Sequence, residues 1–312
     1  MNKPRIIFMG TPDFALPALD KLQLNHYPIL SVITQPDRPA GRGQKEVAPP
    51  VKILAQKYGL PVLQPQKVKD PSFLEAFYSL NPDMVVVAAF GQILPKAIID
   101  FPKMGCLNIH PSLLPKYRGA APLNWSIIRG ETKTGVTIMM MDEGMDSGDI
   151  LMQEETPLGY SETFGELHDR LAKLGADMLL KTIAQLEAGT ARRQAQDIDA
   201  VTFAPRLTKE TGKINWGDNA VNIVNLIRGL SPSPAAYTVM DGQTLKIFSA
   251  EAMTGDVKLP PGAVGTVTAA GLHVTVSDGY VILKDVQLAG KKRMLIGDFL
   301  RGYRLKPDTI LG

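Results

Sequence analysis

Short apolar runs alternate with segments of helical spacing along the first two thirds of the chain. Arg5 to Met9 and Ile29 to Thr34 read as strands, and Asp83 to Ala89 has the uninterrupted β-branched run of a strand buried on both faces. Met104 to Ile109 is a further run of strand length. Between them Gly10-Thr11-Pro12 reads as a turn in which Thr11 caps and Pro12 opens a helix, and Pro49 to Tyr58 and Ala121 to Arg129 carry helical spacing. Strand and helix in alternation predict an α/β domain built on a doubly wound, Rossmann-like parallel sheet.

The longest periodic segment is Ser161 to Ala188. Phe164, Leu167, Leu171, Leu174 and Met178 recur at three and four positions, Thr163 with Glu166 has the form of a capping box, and Gly189 stops the helix. That stripe is a core face. From Thr190 the periodicity is lost while Arg192, Arg193, Gln194 and Gln196 gather, which reads as a linker over 190–208. After Gly212 one helix, capped by Asp218 and running through Ile227, precedes short strands with hairpin turns at Asp241-Gly242 and Asp278-Gly279. This pattern predicts a small antiparallel β-barrel of OB type, and a division into a catalytic domain (1–189), a linker (190–208) and a C-terminal barrel domain (209–312).

A length of 312 residues and 45% hydrophobic content suit two domains with cores of their own. Cys106 is the only cysteine, which excludes an intramolecular disulfide and a cysteine-rich metal site, and no metal is expected. Its place on the strand leading to Asn108 reads as a small buried apolar residue. The N-terminus lacks a signal-peptide pattern, and no run reaches the roughly 18 apolar residues of a membrane span. These features predict a cytoplasmic protein with no membrane partner, and the lack of a heptad pattern makes a monomer the expectation. The first turn, Gly10-Thr11-Pro12-Asp13-Phe14, lacks the G-x-G-x-x-G fingerprint, so a nicotinamide dehydrogenase is disfavoured.

Charge separates the two halves. The formal net charge is +3; from Arg206 onward thirteen basic residues face nine acidic ones, leaving the remainder slightly acidic. Lys284, Lys291, Lys292, Arg293, Arg301, Arg304 and Lys306 cluster against only Asp285 and Asp298. Such a run is either a solvated face or an electrostatic grip on phosphates.

The most informative stretch is Asn108-Ile109-His110-Pro111-Ser112-Leu113-Leu114-Pro115, followed at Asp146 by an acid between Gly144 and Gly148. Asn108 and His110, two apart on a strand, share a face and emerge where the strand ends, the edge at which open α/β sheets place their chemistry. Taken singly, a strand-end histidine, a turn asparagine and a loop aspartate each have an ordinary structural explanation. Together they supply an oxyanion donor, a proton donor or acceptor, and a carboxylate to orient the imidazole. No serine or cysteine nucleophile is needed if the substrate brings its own amine, which points to acyl transfer to nitrogen.

The segments NIHPSLLPKYRGAAP (Asn108 to Pro122) and GVTIMMMDEGMDSGDIL (Gly135 to Leu151) resemble the two signature segments of formyltransferases that use 10-formyltetrahydrofolate. QPDRPAGRG (Gln35 to Gly43) and the chain length resemble the branch of that family whose acceptor is methionyl initiator tRNA. The resemblance implies Asn108, His110 and Asp146 as catalytic residues. It also implies a folate site formed by Phe90, Gly91, Ile93 and Leu94 on one side and Ser112, Leu113, Leu114 and Pro115 on the other. For tRNA it implies Arg42 and Lys45 on a basic flap, with Arg206, Lys291, Lys292, Arg293 and Arg304 on the C-terminal domain. An amino-sugar N-formyltransferase, or a hydrolase releasing formate from the same folate, would share the catalytic residues without needing the basic flap or the basic second domain.

Overall fold

A computed structural model describes residues 3–40, 45–306 and 308–312. Its contacts divide the chain into two compact units, each with a sheet of its own. The first holds 1–119, 134–156 and 168–203; the second holds 120–133, 157–167 and 204–312. Sequence reading placed one linear break at 190–208, whereas by contacts the chain enters the second unit three times.

The strands of the first part of the chain are β1 (Ile6–Gly10), β2 (Ile29–Ile33), β3 (Arg38–Ala40), β4 (Lys45–Val47), β5 (Val62–Leu63), β6 (Met84–Ala88), β7 (Cys106–His110), β8 (Arg118–Gly119), β9 (Lys133–Met140) and β10 (Ile150–Pro157). Seven of them form one sheet in the order β10-β9-β7-β6-β1-β2-β5. The pairs from β5 to β7 are parallel, and every residue of β1 and β6 is buried, which is why both read as unbroken apolar runs. The parallel expectation fails at one edge, where β9 runs antiparallel to β7. Helices α1 (Leu16–Leu24), α2 (Pro50–Lys57), α3 (Pro71–Leu80) and α4 (Lys96–Ile99) connect the parallel strands. The strand order turns back between β1 and β6, so the segments following these two strands flank the reversal point, where such sheets open a crevice, and the segment following β7 lies one strand away.

Thr11 does not cap a helix. Its hydroxyl donates to the Phe90 carbonyl at 2.8 Å, and the chain makes a short 3-10 turn at Asp13–Ala15 before α1 begins. Helix α5 (Pro122–Ile128) is followed by α6 (Phe164–Glu187), whose capping box forms as expected: Thr163 N–H donates to Glu166 Oε2 at 2.8 Å and Glu166 N–H to Thr163 Oγ1 at 3.4 Å. Part of the expected linker is hydrogen-bonded to the first unit. Gln194 and Ile150 exchange backbone hydrogen bonds at 2.8 and 2.9 Å, and Thr202 receives the Arg118 N–H on its carbonyl.

In the second unit, Asn219 rather than Asp218 caps α7 (Ala220–Gly229), accepting from Asn222 N–H at 2.8 Å. Strand β11 (Phe203–Ala204), which pairs with β8, precedes α7; strands β12 (Ala236–Met240), β13 (Gln243–Thr254), β14 (Val264–Thr268), β15 (Gly271–Val276), β16 (Gly279–Leu288) and β17 (Met294–Leu295) follow it, then α8 (Ile296–Gly302). The antiparallel order is β12-β13-β16-β15-β14 with β17 on β16, and the register of β13 on β16 slips near Ser249, the irregularity that lets a long sheet curl. Its two ends are bridged by the C-terminal segment: Val264 N–H donates to Thr309 O, and Gly312 N–H to Val239 O. A ring of strands thus encloses a core of Ile223, Ile227, Leu245, Ile247, Val274 and Leu283. Segments 120–133 and 157–167 join this unit through α7. Asn124 Nδ2 donates to Gly229 O at 2.8 Å, and the buried Arg228 donates to Gly159 O and Glu162 O at 3.0 and 3.2 Å. Among the described residues no helix is long and apolar enough to cross a membrane.

Candidate active site

Strand β7 carries Asn108 and His110 at alternate positions, hence on one face, and ends on the histidine. Asn108 lies opposite Val87 of β6 and Met139 of β9 and so is held from two sides, while His110 is paired on one side, with Thr137 of β9. Asp146 comes from the turn joining β9 to β10, with a left-handed backbone (φ 50°) that a residue with a side chain adopts only when its surroundings hold it there.

Asp146 Oδ1 lies 3.4 Å from Asn108 Nδ2 and 3.6 Å from His110 Nδ1, while Oδ2 accepts from Gly119 N–H at 2.8 Å. His110 Nε2 lies 3.0 Å from the Tyr117 carbonyl oxygen. A carbonyl only accepts, so Nε2 carries the proton of that bond and Nδ1 is the nitrogen turned toward Asp146. The amide and, in the doubly protonated ring, Nδ1–H therefore aim at one oxygen from beyond good hydrogen-bond range. These long contacts leave both groups only weakly engaged by the carboxylate, so that a developing oxyanion placed beside Asp146 Oδ1 can compete for the two donors.

The loop after β7 is braced internally. Ser112 Oγ donates to Lys116 O at 2.6 Å, Thr137 Oγ1 donates to Ser112 O at 2.7 Å, and Gln153 Nε2 donates to Leu114 O at 2.9 Å. The Leu114-Pro115 bond is cis, and the Leu114 side chain packs with Met139 and Ile150. Ser112 and Leu114 thus form the framework of this wall, while Leu113 and Pro115 are half-buried. After β6, Phe90 and Leu94 turn their side chains into the core beside Ile7 and Phe77, whereas Gly91 and Ile93 are exposed, Ile93 by 87%. The Phe90 carbonyl is already engaged by Thr11 and by Gln35 Nε2 at 3.3 Å. Phe90 and Leu94 can meet a ligand only through remaining backbone groups; Ile93 offers a side chain. A separate cleft of about 340 Å³ lies between the Leu114-Pro115 turn, β10 and residues 192–197. None of Asn108, His110 and Asp146 lines it.

The formyl transferase family model matches residues 4–183, and the model of its C-terminal domain matches 206–304. Methionyl-tRNA formyltransferase of Syntrophus aciditrophicus (strain SB) is 58% identical over 312 residues, covering 100% of both chains. The chain belongs to the methionyl-tRNA formyltransferase family. Two solved structures share the fold of this formyltransferase. Methionyl-tRNA formyltransferase from Clostridium thermocellum matches with TM-score 0.59 at 20% identity, covering 91% of this chain and 98% of that one. HypX from Aquifex aeolicus in complex with tetrahydrofolic acid matches with TM-score 0.67 at 18% identity, covering 98% of this chain and 50% of that one.

The basic residues expected to meet tRNA fall into three groups. Arg42 and the side chain of Lys45 lie outside the described residues; the stem of their loop is the antiparallel pair β3 and β4, with Asp37 held by Lys52 Nζ at 2.6 Å and by Gln64 Nε2 at 2.7 Å. Arg206, Lys291, Lys292 and Arg304 are exposed on the second unit. Arg293 is tied down: Nε and Nη2 donate to Asp285 Oδ2 at 2.8 and 2.6 Å, and its guanidinium sits 4.3 Å from the Phe248 ring centroid. Sequence reading missed the side chains that brace the site, Thr137, Gln153, Gln196 and Thr202. They act on backbone atoms of distant segments, a relation that leaves no periodic trace in a sequence.

Proposed function

We propose that the chain transfers the formyl group of 10-formyltetrahydrofolate to the free α-amine of methionine on initiator tRNA. The observation that carries this reading is the cluster of Asn108, His110 and Asp146 at the end of β7, in which Asn108 Nδ2 and His110 Nδ1 lie 3.4 and 3.6 Å from one carboxylate oxygen of Asp146. A folate co-substrate accords with the formyl transferase family and with the tetrahydrofolic acid bound by the HypX structure of the same fold. It would lie between the segment of Phe90, Gly91, Ile93 and Leu94 and the wall of Ser112, Leu113, Leu114 and Pro115.

The amine nitrogen attacks the formyl carbon, and the carbonyl electrons move onto oxygen, where Asn108 and the protonated His110 receive them. Collapse of the tetrahedral species breaks the bond to the folate nitrogen, which takes up the proton lost by the amine, through His110 or an ordered water. The products are formylmethionyl-tRNA and tetrahydrofolate. The C-terminal barrel, with Arg206, Lys291, Lys292, Arg293 and Arg304, and the flap with Arg42 and Lys45 would grip the tRNA.

The test offers methionyl initiator tRNA, a free amino sugar, and no acceptor in parallel with 10-formyltetrahydrofolate. Formyl transfer to the tRNA alone is the expected result. Product only on the sugar, or formate release without an acceptor, would overturn the assignment of the acceptor.

A further inference from the structure

We propose that Gln196 is a positioning residue of the formyl-transfer site, acting through Asp146; the inference rests on the catalytic reading above. Its Nε2 donates to two carbonyls of one turn, Asp146 O and Gly148 O, each at 2.8 Å. Its Oε1 accepts from Arg118 Nε at 3.1 Å and Nη2 at 2.7 Å. Arg118 sits between Tyr117, whose carbonyl holds His110 Nε2, and Gly119, whose N–H holds Asp146 Oδ2. One side-chain amide thus joins the segment that orients the imidazole to the turn that presents the carboxylate.

Asp146 and Tyr117 both have left-handed backbones, with φ of 50° and 62°. Residues with side chains keep such conformations only where the surroundings over-determine them, and the Gln196 bonds fall on or beside both. Gln196 meets the backbone of the Asp146 turn and leaves the two carboxylate oxygens to Asn108, His110 and Gly119. Its loss should therefore change where the carboxylate stands without removing a group that touches substrate. Asparagine or glutamate would not replace it: the first is a methylene shorter, and the second keeps an acceptor for Arg118 but has no N–H for the two carbonyls.

The experiment is a double-mutant cycle on the intact enzyme with Gln196→Ala, Asp146→Asn and the pair, and with Gln196→Glu as a second variant. Gln196→Ala and Gln196→Glu should each lower kcat roughly 10- to 100-fold, as for displacement of a catalytic group by a fraction of an ångström to 1 Å, with KM for both substrates little changed. In the Asp146→Asn background, Gln196→Ala should cost almost nothing further. Wild-type kcat in both Gln196 variants, or an equal fold-loss in both backgrounds, would overturn the proposal while leaving the catalytic reading intact. Full kcat in Asp146→Asn would instead remove the catalytic reading and the proposal with it.

Discussion

Gly144 and Gly148 flank Asp146 and look alike in sequence, yet a methyl group at each would meet different neighbours. The turn is closed where Met140 N–H donates to Asp149 O at 2.8 Å. A Cβ on Gly148 would overlap the Met140 carbonyl oxygen and stand 2.9 Å from its carbon and 3.3 Å from Asp142 N, all backbone atoms that cannot rotate away. Restoring an ordinary separation of about 3.5 Å requires the turn to move on the order of 1 Å. A shift of that size at a catalytic group costs about 100-fold in rate, and overpacking costs about 1–3 kcal/mol of stability. At Gly144 the added Cβ would overlap Ser147 Oγ, a hydroxyl that can turn aside by giving up its 2.7 Å bond to Asp142 Oδ1, and would stand 3.1 Å from Ser147 Cβ, which has to give by only a few tenths of an ångström. Losing that exposed bond costs about 0.5–1 kcal/mol and leaves Asp146 in place. Single-turnover formyl transfer and thermal melts of Gly148→Ala and Gly144→Ala decide the matter. Gly148→Ala should lose activity out of proportion to Gly144→Ala. Equal, near-normal rates in both would show that the position of this turn does not govern the chemistry.

Burial pushes the Cys106 thiol up to about 12, so at pH 8 a native sample should resist alkylation and label fully only after denaturation. Labelling of the native protein at the denatured rate would contradict the packing of β7. The Arg5 N–H, donating to Asp83 Oδ2 at 2.8 Å, is the largest of the contacts that hold the Asp83 carboxyl below the usual carboxylate range. Stability from a group depressed in the folded state is present above its unfolded value and lost as pH falls through the folded one. Wild type should exceed Asp83→Asn by about 1 kcal/mol at pH 6, with the gap closing in acid; a pH-independent gap in urea unfolding would refute this. Neutralising Lys291 and Lys292 should raise KM for tRNA and flatten its salt dependence without changing thermal stability, whereas Arg293→Ala should also lower the melting temperature by freeing Asp285. An unchanged salt slope in the first variant would make those lysines a solvated face.

How much of this was legible in the sequence differs by element. The shared face of Asn108 and His110 follows from the two-residue period of a strand, and the capping box of α6 from its Thr163 and Glu166 spacing. The antiparallel edge at β9 was not legible, since an apolar strand looks the same whichever way its neighbour runs. Thr11 has the form of a cap, but its hydroxyl found a carbonyl at Phe90, far along the chain. The segment 190–208 lost its helical period and read as a linker, yet Gln194 pairs with Ile150 and Gln196 braces the Asp146 turn. Local propensity reports how a segment folds and not which remote backbone atoms its polar groups will find.

The most direct test of the catalytic account is the single-turnover rate of formyl transfer from 10-formyltetrahydrofolate to methionyl initiator tRNA by Asn108→Ala, with folding checked by its melting curve. Loss of one oxyanion donor predicts a fall of roughly 10²–10³ in rate with both substrates still bound. A folded variant that transfers formyl at the wild-type rate would contradict it.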